Sequence, residues 1–354
     1  MNLYDIELYM DDVHYVCSLE FPWNKLNNKS IMVSGATGLL GSFFIDVILE
    51  KNKECGLNCT IYALGRDKKK ANERFSEYAH DPYFVFIPYD VRLPLAFDDL
   101  KDIDFIIHLA SNTHPMQYST DPVGTITTNI IGLKNMLEYA VVHNTARFVF
   151  ASSNEVYGEN RGDVEFFDES YCGYLNCNTL RAGYPESKRC GEALCQAYIS
   201  QNGLDVVIPR FTRSYGPTML LSDTKAISQF LKKGIANENI VLKSSGNQFY
   251  SYTYVSDAIS GLFTVLFHGD KGEAYNIADE HNDITLKELA GVISSFNGKN
   301  VIFEEPSVIE SAGYSTATKA RLNGNKIREL GWSPQYDIYS GLERCFKILK
   351  NLYC

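Results

Sequence analysis

The chain has 354 residues, 45% hydrophobic and 21% charged, with a formal net charge of −10. That length and balance suit a globular enzyme built as one large α/β domain or as two smaller ones sharing a cleft. The acidic total excludes a protein-wide basic footprint and no apolar run reaches the length of a membrane span, so neither a nucleic-acid partner nor a membrane partner is expected.

In chain order, residues 1–29 precede the first clear strand. Tyr4, Leu8, Val13 and Val16 fall on one helical stripe that stops near Pro22, which predicts an added helix packed on the main domain or on another subunit. The opening MNLYDIELYMDD lacks the basic start and apolar core of a secretory signal, so a cytoplasmic protein is expected. From Ser30 onward, strand and helix patterns alternate. Strands are predicted at Ser30–Ser34, Thr60–Leu64, Phe84–Ile87, Asp104–Leu109, Arg147–Ala151 and Val206–Pro209. Helices are predicted at Leu39–Leu49, Asn129–Val142 and Glu186–Ser200. Apolar strands alternating with helices imply a Rossmann-type, doubly wound parallel sheet over residues 30–210. Beyond it the rhythm loosens, with helices expected at 225–236, 256–267, 285–296 and 340–351. Residues 211–354 are therefore expected to form a smaller, mixed substrate-binding region that packs partly back on the first domain. The nine cysteines show no C-x-x-C spacing, and Cys190 and Cys195, five apart on a predicted helix, have no His or Asp at ligand spacing beside them, so free thiols and no metal site are expected.

Gly35-Ala36-Thr37-Gly38-Leu39-Leu40-Gly41 joins the first strand directly to the first helix. The glycines of such a turn serve, in order, the tight turn, close approach to a pyrophosphate, and helix–strand packing. The helix N-terminus then offers free N–H groups to phosphate. The second strand ends Leu64-Gly65-Arg66-Asp67, with Arg66 where an acidic residue would read the ribose of NAD. NAD is the expected cofactor, and Arg66 admits NADP. Asp90 at the end of the third strand is either a partner of the adenine amino group or a turn residue. Tyr184-Pro185-Glu186-Ser187-Lys188 sets Tyr184 and Lys188 four apart at the start of a helix, on one face. A phenol held near an ammonium can take the proton from a hydroxyl as hydride leaves its carbon. Ser152-Ser153-Asn154-Glu155 follows the fifth strand at its carboxyl end, the edge that lines ligand crevices in open α/β sheets. Ser153 is expected to share the substrate hydroxyl with Tyr184, and Glu155 to act as a second acid/base on a neighbouring carbon.

Together these residues resemble the extended short-chain dehydrogenase/reductase (NAD-dependent epimerase/dehydratase) family of sugar-nucleotide enzymes, and within it the UDP-glucuronate decarboxylases. Similar stretches include Gly173-Tyr174-Leu175-Asn176, Arg181-Ala182-Gly183-Tyr184, Asp90-Val91 with Pro94-Leu95, His108-Leu109-Ala110-Ser111, Thr128-Asn129, Gly216-Pro217-Thr218-Met219 and Gly331-Trp332-Ser333-Pro334. The resemblance implies a cofactor site of Gly35, Thr37, Gly38, Leu39, Leu40, Gly41, Arg66, Asp90, Val91, Leu109, Ala110, Ser111, Asn129, Tyr184 and Lys188. It implies a UDP-sugar substrate, oxidised at C4 to a ketone so that loss of carbon dioxide or water follows, and a homodimer. Polysaccharide synthesis is such enzymes' usual destination.

Three positions depart from the family pattern. Asn154 stands between Ser153 and Glu155, where a dehydratase would carry Asp. Arg213 replaces an Asn. Tyr250 replaces an Arg that binds diphosphate, and Arg213 is expected to restore that charge from another side. Arg181, Arg321 and Asn154 complete the expected substrate contacts. A sugar-nucleotide 4-epimerase is the alternative enzyme, and an NAD(P)-sensing binding protein the alternative outside catalysis.

Overall fold

A computed structural model describes residues 2–95, 103–220, 222–307, 310, 311, 314 and 317–354. Its main sheet takes strands β1 (Ser30–Ser34), β2 (Thr60–Gly65), β3 (Phe84–Pro88), β4 (Phe105–His108), β5 (Arg147–Phe150), β6 (Ser152–Ser153) and β7 (Val206–Phe211). Three short strands follow outside it: β8 (Arg213–Tyr215), β9 (Ile240–Leu242) and β10 (Phe249–Tyr254). Strand β11 (Ala274–Ile277) then rejoins the main sheet, giving the order β11-β7-β5-β4-β1-β2-β3, with β6 beside β7 and every pairing parallel. Ile31, Met32 and Val33 of β1 and Ile106 and Ile107 of β4 are fully buried, as the centre of a sheet covered on both faces requires.

The covering helices include α1 (Glu7–Ser18), α2 (Leu39–Cys55), α3 (Lys68–Arg74), α4 (Pro115–Thr120), α5 (Pro122–Val142), α6 (Gly183–Asn202), α7 (Ala226–Ile235) and α8 (Val255–His268). Helix α5 begins well before the predicted Asn129. Asp121 caps it by accepting from Gly124 N at 3.0 Å, and Pro122 occupies its first turn, a start signal legible in the sequence.

The region after Phe211 is less separate than a second domain would be. Strand β11 lengthens the main sheet, and α8, buried along its whole length up to Phe267, packs against it. What stands apart is a small mixed sheet in which β10 pairs in parallel with β8 and β13 (Lys319–Ala320) and antiparallel with β12 (Asp283–Thr285). The N-terminal helix α1 packs on the main body of the same chain. Tyr9, Val13 and Val16 are fully buried, and Asp12, with no exposure, accepts from Tyr254 at 2.7 Å, Tyr336 at 3.1 Å and Arg344 at 2.6 Å.

Candidate active site

The strand order reverses between β1 and β4, and the residues after both strands meet there, the place where ligands lie in open α/β sheets. Gly35 has φ +72°, and a Cβ on it would stand 2.8 Å from Ala110 N and Leu109 C. A Cβ on Gly41 would stand 2.5 Å from the Gly35 carbonyl oxygen. Any side chain at either position would push the turn apart. Thr37, Leu39 and Leu40 are half-buried at the turn and first helical turn. Helix α2 starts from Gly38 with no side-chain cap, which leaves its first N–H groups for a ligand.

At the tip of β2, Arg66 is exposed, whereas Asp67 caps α3 by accepting from Lys70 N at 3.0 Å. Asp90 is held by Arg92, whose Nη2 lies 2.6 Å away and whose hydrogen bonds draw the carboxyl below its ordinary range. Val91 is buried, its carbonyl accepting from Asn135 at 2.9 Å. From β4 a chain of polar contacts runs to α6. Ser111 Oγ donates to Asn129 at 2.7 Å, Asn129 donates to Ser187 Oγ at 2.8 Å, and Ser187 donates to the Tyr184 carbonyl at 2.8 Å. The expected cofactor side is thus wired to the helix that carries Tyr184 and Lys188.

Tyr184 is 6% exposed. Burial pushes its phenol up to about 12, ionised Glu155 pushes the same way, and a hydrogen bond with Ser153 and the charge of Arg181 pull it down. Lys188 Nζ donates to the Ala151 carbonyl at 2.7 Å and sits 4.9 Å over the Phe150 ring. Burial lowers this ammonium to about 8. The side chains that shift the phenol here are Glu155, which raises it, and Ser153 and Arg181, which lower it. Beneath Lys188, His108 pairs through Nδ1 with Ser34 Oγ at 2.8 Å, and burial and the lysine charge drive its imidazole down to about 3, keeping it neutral.

Ser153, Asn154 and Glu155 leave the sheet through β6. A partly buried network fixes that strand: Ser152 Oγ donates to Glu192 at 2.5 Å, and Arg210 donates to both Glu192 oxygens at 2.9 and 2.6 Å. Ser153 Oγ lies 3.3 Å from Asn154 Oδ1. Glu155 receives Arg181 Nη2 on both oxygens, at 2.5 and 2.6 Å. The Arg181 guanidinium rests 4.7 Å over the Tyr118 ring, and Tyr118 in turn packs on Tyr184 at 5.0 Å between ring centroids. Tyr118, on the short helix α4, had no distinguishing signal in the sequence.

A cleft opens beside this stack, lined by Asn154, Glu155, Asn176, Thr179, Arg181 and Arg213 among others. The two departures at 213 and 250 meet at its wall. Strands β8 and β10 run in register with Arg213 beside Tyr252, and the Arg213 guanidinium lies 3.4 Å over the Tyr250 ring. Tyr250 is anchored by its hydroxyl to the Ala317 carbonyl at 2.7 Å. Arg213 Nη1 is buried without a hydrogen-bond partner. Arg321 is not part of this lining: it donates to Asp283 at 2.7 Å and Glu165 at 2.8 Å, between the rings of Phe166 and Phe249.

The sequence profile of the NAD dependent epimerase/dehydratase family matches residues 31–278. The chain is 31% identical over 329 residues to UDP-glucuronic acid decarboxylase 3 of Arabidopsis thaliana, covering 92% of this chain and 91% of that one. Among solved structures, dTDP-glucose 4,6-dehydratase from Streptomyces venezuelae, with NAD bound, is similar at a TM-score of 0.78 and 26% identity, over 91% of this chain and 97% of that one. UDP-glucuronic acid 4-epimerase from Bacillus cereus shares the fold at a TM-score of 0.78 and 21% identity, over 92% of this chain and 100% of that one. With a family match over most of its length and a crevice that carries Tyr184, Lys188 and Ser153, this chain belongs to the NAD dependent epimerase/dehydratase family.

Proposed function

We propose that the chain is a redox-neutral decarboxylase of UDP-glucuronate that retains NAD. The observation that carries the reading is the Ser153–Tyr184 contact beside a cleft walled by Arg181 and Arg213, in a chain 31% identical to a UDP-glucuronic acid decarboxylase over nine-tenths of its length.

The residues at the strand switch fit a dinucleotide. Gly35, Thr37, Gly38, Leu39, Leu40 and Gly41 would hold the pyrophosphate at the uncapped start of α2. Arg66, Asp90 and Val91 would flank the adenosine; Leu109, Ala110, Ser111 and Asn129 would flank the other half, with Lys188 on its ribose. When bound, NAD supplies a hydride acceptor that later returns the hydride. The chain's own groups do the rest. Ser153 and Tyr184 share the C4 hydroxyl, and Tyr184 takes its proton; the Ser153 hydrogen bond and the Arg181 charge work against the burial that raises the phenol. A ketone at C4 makes the C6 carboxylate a β-keto acid, and carbon dioxide leaves readily from it. Residues 30–210 carry the cofactor side and residues 211–354 mainly the substrate side, with Arg213 on the diphosphate. Arg321, held by Asp283 and Glu165, supports that region.

A homodimer through α5 and α6 is supported by Val123, Ile131 and Val142, which stand exposed along α5. All nine cysteines are free thiols, in keeping with a reducing cytoplasm. Among the described residues no helix is long and apolar enough to cross a membrane.

Mass spectrometry of the protein incubated with UDP-glucuronate and NAD tests the reading. A product lighter by the mass of carbon dioxide is expected. A product of unchanged mass and altered configuration at C4 would make the chain an epimerase instead.

A further inference from the structure

Two guanidiniums line the cleft, and their surroundings differ. Arg213 lies on the Tyr250 ring, and among the described residues no carboxylate pairs with it. Arg181 uses only Nη2, on Glu155, while its Nε and Nη1 are buried without a hydrogen-bond partner. A guanidinium carries five N–H donors in a rigid plane, and burying some of them unmet costs free energy unless a ligand completes them. Its plane is fixed by Tyr118, one aromatic layer from the Tyr184 ring. A hexose whose C4 oxygen sits at Tyr184 carries its C6 substituent only two carbons away. Arg181 is the cation that this stack presents to the cleft.

We infer that Arg181 recognises a carboxylate on the substrate's sugar, and that Glu155 is its internal competitor for the same guanidinium. The inference rests on the UDP-glucuronate reading above and adds the residue that selects the acid over the neutral sugar. The edge of Arg181 that carries Nη1 and Nη2 fits the two oxygens of a carboxylate in bidentate geometry, and Nη2 is the nitrogen that Glu155 occupies. Competition from Glu155 serves the chemistry. A carboxylate held too firmly in its ionised form resists loss of carbon dioxide, and a guanidinium already shared with Glu155 holds it less firmly. A neutral C6 hydroxymethyl would leave those donors unmet and would not displace Glu155.

The test measures binding of UDP-glucuronate, UDP-glucose and UDP by calorimetry, on the NAD-loaded protein in a Tyr184→Phe background that blocks turnover. Arg181→Gln is expected to weaken UDP-glucuronate about 100-fold while UDP-glucose and UDP change less than about threefold. Glu155→Gln is expected to tighten UDP-glucuronate several-fold, a sign that a purely structural carboxylate would not give. The double variant Arg181→Gln with Glu155→Gln leaves no buried charge unpaired. It is expected to bind UDP normally, and still to lose the preference for the acid. Equal weakening of all three ligands, or UDP-glucuronate binding within about threefold of the parent in Arg181→Gln, would overturn the assignment. Weaker UDP-glucuronate binding in Glu155→Gln would overturn the competition. A parent protein that prefers UDP-glucuronate to UDP-glucose, while the protein with Tyr184 intact releases no carbon dioxide from it, would support the site and sink the proposed reaction.

Discussion

Two carboxylate–guanidinium pairs in this protein, one in the interior and one partly buried, are built to opposite ends. Asp46 and Arg74 pair where α1, α2 and α3 meet, and the hydroxyls of Tyr4, Tyr9 and Tyr78 all donate to Asp46. Arg74 also donates to the Tyr4 and Tyr9 hydroxyls, which leaves only its Nε unmet. Glu155 and Arg181 pair at the cleft wall, with two of the three guanidinium nitrogens unmet. The same repeats among the arginines on aromatic rings: Arg321 is closed by two carboxylates, and Arg213 by none among the described residues. Burial alone does not mark a functional charge. What marks it is burial with hydrogen-bonding capacity left over, because that capacity carries a cost until a ligand meets it.

Substitutions that separate activity from stability sharpen this contrast. The largest effect belongs to Tyr184→Phe, which removes the base but little packing. Turnover should fall about 1000-fold with the melting temperature almost unchanged. Comparable loss of both would mean that Tyr184 holds the fold as well. Next comes Asp46→Ala, which strands Arg74 and three hydroxyls in the interior. Denaturant unfolding should show a loss of about 3 kcal/mol, with KM of the protein that remains folded unaltered. If Asp46→Ala instead raises KM at native stability, the closed pair is not merely structural. Smaller again is Arg213→Ala, for which KM is expected to rise about 30-fold with kcat within a factor of two, as fits a group that binds substrate and transition state alike. Arg321→Ala should move stability rather than KM, and the reverse result would exchange the roles of the two arginines.

Much of this contrast is legible in the sequence, but unevenly. The glycine turn, the Tyr184–Lys188 spacing and the six predicted strands rest on local pattern, and local pattern survives folding. Strand β11 was missed because Ala274–Ile277 is short and follows loops, so only its pairing with β7 identifies it. Residues Ser153, Glu155, Arg181 and Arg213 could each be picked out by type and place. Which of them touch could not, since Glu155 and Arg181 are joined across 26 positions and Arg213 meets Tyr250 through strand register. Tyr118, Tyr9 and Tyr78 carry no sequence signal, and Tyr4 carries only its place on the N-terminal stripe. A tyrosine that supports a charge looks the same in sequence as one that fills space.

Lys188 gives the smallest and most pointed prediction, because it is buried with its charge yet pairs with no carboxylate among the described residues. Its Nζ donates to one carbonyl over a phenyl ring, and burial lowers it from the ordinary 10.5 to about 8. Between those two values the folded chain binds fewer protons than the unfolded one. Stability on this residue's account should therefore rise as pH climbs from about 8 towards 10.5, the opposite of what a lysine in an ion pair would give. Activity should run the other way. The ammonium is what would hold the ribose, so kcat/KM should fall as pH passes about 8, while Tyr184 stays a phenol until about 12. A pH series of unfolding midpoints and of kcat/KM, on the parent and on Lys188→Met, separates the two. The variant should lose the alkaline rise in stability along with most of its activity. If its stability profile matches the parent's, Lys188 is not the group that titrates, and the idea that the cleft keeps its charges open for ligands loses its best-isolated case.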